Sequence, residues 1–344
     1  MHLRSGPALF AAFLIGCVPQ EDSAAGANDS AYSGGPEQRD PDHFFPGSAP
    51  WTTAVTDAKV DPDNDLLIGA LQERNWGFDR FQIDFSLEVL TADAATERTP
   101  FEPTGDFYSP DCDDDAVPLP SGGNLEGESG YACESDGDCH LLVRADHEDR
   151  LYEMWRANVQ GSTFYGGCLA VWDMSRVYGP DGRGDQCTSA DAAGYPIAPL
   201  LFTADEVASG EIDHAIRFIL PNDRIRDGEF VHPATHATNA EGGGADALPY
   251  GARLRLKSDF DEARIEDPDA LVVVHALQKY GMFLADGGNI ALTARSDART
   301  THKWDEVFED GSHALFGIEP ADFELVAIEG PAIPLTFDCE RAPK

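Results

Sequence analysis

Positive charge is scarce in this sequence, where 24 lysines and arginines face 62 aspartates and glutamates, leaving a formal net charge of −38. A surface of that sign repels phosphate backbones and anionic head groups, which argues against nucleic acid and against peripheral membrane binding as partners. Long apolar runs are missing too, so no stretch reaches the ~20 residues that cross a bilayer. The chain has no CxxC pair, no HExxH helix, no GxSxG elbow and no glycine-rich phosphate loop opening a helix. Those absences remove the sequence signatures of zinc ribbons, zincin proteases, α/β-hydrolases and nucleotide binders. No internal repeat points to a solenoid or propeller.

What is present begins at the N-terminus. Arg4 precedes an apolar run from Pro7 to Ile15 that ends in Leu14-Ile15-Gly16-Cys17, the pattern of a lipobox. It predicts a signal peptide over 1–16, cleavage before Cys17, and lipidation of Cys17, so that the only membrane partner is reached through the lipid anchor. The residue after Cys17 is Val18 and not Asp, which under the usual Gram-negative sorting rule directs an exported lipoprotein to the outer membrane. Residues 17–50 are rich in Ser, Ala, Gly, Asp and Pro and read as a flexible tether. Residues 51–344 contain no second linker of that kind and read as one β-rich secreted domain.

Six cysteines remain beyond Cys17, an even number that suits disulfides in an oxidising compartment. Fifteen pairings are open to them. Cys133 and Cys139 bracket a short Glu-Ser-Asp-Gly-Asp turn and form the expected local pair.

Period-two alternation sets the fold class. From Phe81 to Val89 the odd positions are apolar and the even ones polar, as in a half-buried strand. His140–Arg144 and Leu151–Trp155 flank the charged turn 145–150 and predict a hairpin. Further strands are expected over 164–172, 215–220, 252–257, 282–285 and 323–328. Thr203 with Glu206 forms a capping box for a short helix ending at Gly210, and Asp267-Pro268 opens a second that ends at Gly281. The expectation is a mainly β protein, a β-sandwich or jelly-roll-like domain with two short helices.

The blocks HLLVRADHEDRLYEMW, AVWDMS, TSADAAGYPI, GEIDHAIRF, HPATH, ARLRLK and KYGMFLADGG, with FPGSAPWTTAV and DPDND upstream, resemble a family of secreted bacterial proteins of unassigned function. The resemblance covers most of the mature chain. It implies a single secreted domain and transfers no catalytic role.

Polar chemistry concentrates between Trp172 and Lys257. Residues 188–194 are small and polar around Asp191, a composition suited to a loop lining a site. Glu211, Asp213, His214 and Arg217 follow; alternation sets Arg217 with Glu211 and Asp213 on one face and turns His214 to the other. An imidazole near carboxylates suits general acid–base work and equally a structural hydrogen bond. Asp173, just after Trp172, and Asp286, at the Gly287-Gly288 turn, place carboxylates at strand ends. A carboxylate pair can cleave a glycosidic bond, its separation deciding the mode. Trp155, Tyr165, Trp172 and Tyr178 can stack on sugar rings or fill the core.

Arg253, Arg255 and Lys257 fall on one face of a strand, a cationic floor for an anionic polysaccharide such as a uronic-acid polymer, or partners for neighbouring acidic strands. His232 and His236, four apart in HPATH, admit a Zn²⁺ ion, although Pro233 weakens the helical premise. The acidic loops Asp61, Asp63, Asn64, Asp65 and Asp111, Asp113, Asp114, Asp115 offer oxygen ligands for Ca²⁺ without completing an EF-hand. The sequence demands no cofactor; calcium and zinc are the two that its residues admit.

The sequence thus points to a surface-exposed lipoprotein with a glycan-binding or glycan-processing domain, its cleft lined by Trp172, Asp173, Asp191, Glu211, His214 and Arg217. Two alternatives stay open: a metal-dependent hydrolase using His232 and His236, and a noncatalytic envelope structural or adhesion lipoprotein. Whether the chain is an enzyme is left undecided.

Overall fold

The computed structural model describes residues 43–341 apart from 48 and 136. The expected signal peptide, Cys17 and most of the expected tether lie outside the described residues. Within them the protein is mainly β, with 18 short strands in several sheets and four short α-helices.

The largest sheet has six strands in the order Ile83–Leu87, Leu292–Arg295, Ile216–Leu220, Met282–Gly287, Arg253–Leu256 and Phe323–Leu325. It is mixed: Ile83–Leu87 runs parallel to Leu292–Arg295, and Ile216–Leu220 parallel to Met282–Gly287, while the remaining neighbours are antiparallel. A second sheet of four strands runs Cys168–Asp173, Arg150–Trp155, Leu141–Ala145, Val89–Thr91. Its centre is the hairpin expected from the sequence, with Leu142 opposite Glu153 and Arg144 opposite Leu151.

The alternating segment 81–89 does not stay in one sheet. Ile83–Leu87 belongs to the six-stranded sheet and Val89–Thr91 to the four-stranded one, the chain crossing at the buried Glu88, which accepts hydrogen bonds from Asn124 (2.7 Å) and Arg299 (2.5 Å). The register slips between Asp84 and Leu87, and Leu87, Glu88 and Val89 are all buried, so the period-two sequence pattern runs on where pairing and burial change.

Both faces of the four-stranded sheet are buried. Leu142, Leu151, Ala170 and Trp172 join the main core, while Leu141, Val143, Tyr152, Met154 and Leu169 join a second, smaller core. A two-faced strand reads as a nearly continuous apolar run, as LLV at 141–143 does. The main core also reaches upstream of Trp51: Phe45 is buried, with its ring 5.2 Å from Tyr178 and 5.7 Å from Trp51.

The two expected helices form. Ala204–Ser209 carries both bonds of the Thr203/Glu206 capping box and ends on Gly210 in the left-handed region (φ 85°). Ala270–Lys279 buries Val273, Val274, Ala276 and Leu277 and connects two neighbouring strands of the large sheet. The chain after it turns at Gly281 (φ 69°), where a Cβ would come within 2.4 Å of the Leu254 carbonyl oxygen, so glycine is required on two counts. Two further α-helices, Asn64–Arg74 and Trp304–Val307, were not expected. The first grows out of the acidic DPDND segment, where Asp61 accepts the N–H groups of Asp63 and Ile328 (both 2.9 Å) and Asn64 accepts that of Leu325 (2.8 Å).

The six cysteines pair as Cys112–Cys168, Cys133–Cys139 and Cys187–Cys339. The local pair is the one expected from the turn; the two long-range ones had no signal in spacing.

Candidate functional site

A cleft of about 650 Å³ opens beside the ends of both sheets. Its floor is the polar segment 188–194, and that segment is held tightly. Thr188 donates its N–H to Asp111 (3.0 Å) and its carbonyl accepts from Arg183 Nη1 (2.8 Å). Ser189 Oγ donates to the Tyr195 carbonyl (2.6 Å) and accepts from the Asp191 N–H (3.0 Å). Gly194 sits at φ 82° with Thr235 Oγ1 only 2.1 Å from where a Cβ would lie. At its far end, the N–H groups of Ile197 (2.9 Å) and Ala198 (2.8 Å) and the Trp172 indole (3.1 Å) all donate to Glu153, a carboxylate with no exposure. Burial drives the Glu153 carboxyl up to about 7 against those donors.

Two carboxylates that line the cleft, Asp191 and Asp286, are bridged by Arg217, which does not itself line it. Arg217 projects from Ile216–Leu220 with its side chain 5% exposed, donating from Nε to Asp191 Oδ1 and from Nη2 to Asp286 Oδ2, each at 2.8 Å. One guanidinium therefore joins two carboxylates from segments far apart in sequence. Burial raises the Asp191 carboxyl to about 7, with Arg217 opposing the rise, and raises Asp286 in the same sense. Asp191 Oδ2 is buried without a hydrogen-bond partner, whereas the Asp286 side chain is 19% exposed to the cleft. Beneath them His140 donates to Glu126 (2.6 Å) and to the Ala190 carbonyl (2.9 Å). Burial alone would lower its pKa; the Glu126 carboxylate overrides that and lifts it to about 9, so the ring under the floor is an imidazolium at neutral pH.

His236 also lines the cleft. Its Nδ1 meets the Ala192 carbonyl at 2.9 Å and must donate there, which leaves Nε2 as the unprotonated nitrogen; Nε2 is buried and without a partner. Burial lowers its pKa, keeping the ring neutral. Trp155, Tyr108 and Phe337 supply aromatic surface at the rim, the Trp155 N–H donating to Asp138 (2.8 Å), and Tyr250 lies in the wall.

Of the residues singled out in the sequence, Asp191, Asp286, His236 and Trp155 line this cleft, with Arg217 behind Asp191 and Asp286. Trp172 does not: it is fully buried, edge-on to Tyr178 at 5.0 Å. Asp173 caps its strand end, paired with Arg150 (2.8 Å) and accepting from Ser175. Glu211 is exposed beside Lys279 (3.4 Å). His214 belongs to a different cleft, of about 570 Å³, where it bonds Glu206 (3.2 Å) and the Ala215 carbonyl (2.8 Å).

The cationic floor is not assembled. Arg253 donates to the carbonyls of Tyr280, Pro50 and Thr53, and Arg255 to Glu324 and the carbonyls of Val55 and Thr56. Lys257 donates to the Ala321 carbonyl (2.7 Å). Those donors tie the strand to its neighbours and to the 50–56 segment.

Nor do His232 and His236 converge. His232 Nε2 is taken by Asp185 at 2.8 Å, and among the described residues the single group of three potential metal ligands is Glu128 with Cys133 and Cys139, whose sulfurs are already joined in a disulfide. The acidic loops are likewise occupied: Asp113 accepts from Val171 (2.8 Å) and Arg183 (2.7 Å), and Asp111 from Thr188. Glu153, His140 and Glu126, which shape the floor, carried no signal in the sequence beyond a polar residue inside a strand or turn. Compared with known proteins, the chain matches no family model, no curated protein and no solved structure, so the cleft is read from its own geometry.

Proposed function

We propose that the protein is an exported, lipid-anchored glycan-binding protein whose ligand lies in the cleft of Asp191, His236 and Asp286. One observation carries the reading: two buried polar atoms without partners, Asp191 Oδ2 and His236 Nε2, belong to residues lining the same aromatic-rimmed cleft. An unsatisfied buried polar atom costs about 1–3 kcal/mol, and a concave site that collects two of them with titrating carboxylates is the arrangement of a binding or catalytic centre. Aromatic faces beside carboxylates, amides and hydroxyls match the alternating apolar faces and hydroxyl edges of sugar rings.

The charge of the cleft selects among glycans. Among the described residues no lysine or arginine lines it, Arg217 is engaged by two carboxylates, and Asp106, Asp138 and Asp286 face the opening. A polyuronate would meet carboxylates there, so the ligand is a neutral or amino-bearing glycan rather than the anionic polymer that the Arg253–Lys257 strand suggested. The test is a glycan array with the purified whole chain beside Trp155→Ala and Asp286→Ala. Binding to neutral or amino-sugar chains, weakened at least tenfold by either change in a folded protein, supports the reading; failure to bind any glycan ends it.

A further inference from the structure

We propose that the glycan lies as a chain across this cleft and a second one that adjoins it, with Arg156 at the crossing. The inference rests on the glycan reading above and adds the form of the ligand to it: an oligomer that occupies two sites at once, not a single terminal sugar.

The second cleft encloses about 460 Å³ and is contiguous with the first. Asp106 lines both, and Gly105 and Trp155 line the first where their chain neighbours Thr104 and Arg156 line the second. Its wall belongs to the small three-stranded sheet of Glu102–Pro103, Thr163–Gly166 and Asn158–Gln160. Asn158 stands opposite Tyr165, and Gln160 follows two residues on, so the pleat sets these three side chains on one face. Two amides and a phenol ring offer donors, acceptors and an apolar face without formal charge, which suits the hydroxyl edges and flat faces of a neutral sugar. The charged residues lining this second cleft, Asp106 and Arg156, are one of each sign, so discrimination by charge stays with the first cleft.

The crossing between the clefts is formed in advance. Arg156 holds φ 55°, a left-handed conformation uncommon outside glycine. Its N–H donates to the Asp138 carbonyl (2.9 Å), while the Trp155 indole before it donates to the Asp138 carboxylate (2.8 Å). A Cβ at Gly167 would stand 2.8 Å from the Trp155 carbonyl oxygen and 3.0 Å from Arg156 Cβ, so a glycine there lets the next strand close against the turn. The Arg156 guanidinium lies over the Trp155 ring, 4.7 Å from its centroid. Its side chain is 53% exposed and reaches Asp106 only at 3.9 Å; among the described residues it makes no hydrogen bond. Its N–H donors are thus open at the point that a chain joining the two clefts must pass.

The experiment is calorimetric titration of the purified whole chain with cello-, laminari- and chito-oligosaccharides, each from the mono- to the hexasaccharide, beside Arg156→Ala and Gln160→Ala. Both substitutions fall on residues with exposed side chains, and circular dichroism checks that the variants are folded. Because one ligand engages two sites, affinity in the series that binds is expected to rise roughly tenfold or more with length and then level off. Each variant should remove most of that rise and leave the shortest bound sugar within about twofold of wild type. Affinity that does not change with length, variants that weaken every length equally, or variants that bind the longest chain as well as wild type overturn the two-cleft inference and leave the glycan reading standing. Absence of binding to all three series removes both.

Discussion

Replacing Arg217 by Met isolates the electrostatics of the cleft floor. The guanidinium holds Asp191 and Asp286 through two charge-assisted bonds of 2.8 Å, with Asp191 wholly buried. Removing one partner of a buried ion pair leaves the other uncompensated and costs about 3–5 kcal/mol. The loss is expected to depend on pH. In the native protein Asp191 titrates near 7, against an ordinary value of 3.8, so the folded state holds an extra proton between those limits and stability falls as pH rises through that window. Above 7 the native protein stops losing stability from this group. Without Arg217 the folded carboxyl moves higher still, and the decline continues, at up to ~1.4 kcal/mol per pH unit. Urea denaturation of the wild type and Arg217→Met at pH 5, 7 and 8.5 measures this directly. The gap between them should widen above pH 7, and Asp191→Asn in the same background should narrow it. A gap under about 1 kcal/mol, or one that does not change with pH, would refute the view of Arg217 as the counter-ion on which the floor depends.

Glu153 titrates near 7 for the same reason, and Trp172→Phe, which removes one of its donors, is expected to cost about 1–2 kcal/mol in chemical denaturation without altering the cleft residues. The His140–Glu126 pair should stabilise fully between about pH 4.5 and 6.5 and fade as pH rises through about 9 or falls through about 2, so His140→Gln should destabilise most in the weakly acid range of a pH series. Cys187→Ser with Cys339→Ser opens a covalent loop of sequence separation 152 and should lower stability by about 2–5 kcal/mol, seen as a fall in Tm by calorimetry. Glu211→Ala, at an exposed pair with Lys279, should change stability by less than about 0.5 kcal/mol and leave glycan binding untouched.

Legibility in the sequence followed the range of the interaction. The 141–155 hairpin and the Thr203 and Ala270 helices rest on contacts within a few residues, and pattern was enough to place them. The segment 81–89 read as one strand because alternation does not register a change of partner. Trp172 next to Asp173 suggested a sugar platform, since nothing local says that a sheet is covered on both faces. Arg253, Arg255 and Lys257 were visible as charges, but the carbonyl oxygens that engage them come from residues 50–56, 280 and 321. His236 was singled out for its spacing from His232. The structure sets it instead in the cleft of Asp191 and Asp286, a grouping made by tertiary packing of three separate segments.

The Cys187–Cys339 bond also bears on how the protein comes to be made. It brings the stretch around Phe337, which forms part of the rim, and Arg341, which donates to Asp113, against a floor encoded some 150 residues earlier. During synthesis that floor emerges from the ribosome long before its rim. The rim is therefore tied covalently to the floor only after Cys339 has been made, and only where thiols are oxidised. A chain kept among reducing thiols would carry every residue of the site without this bond to secure the rim.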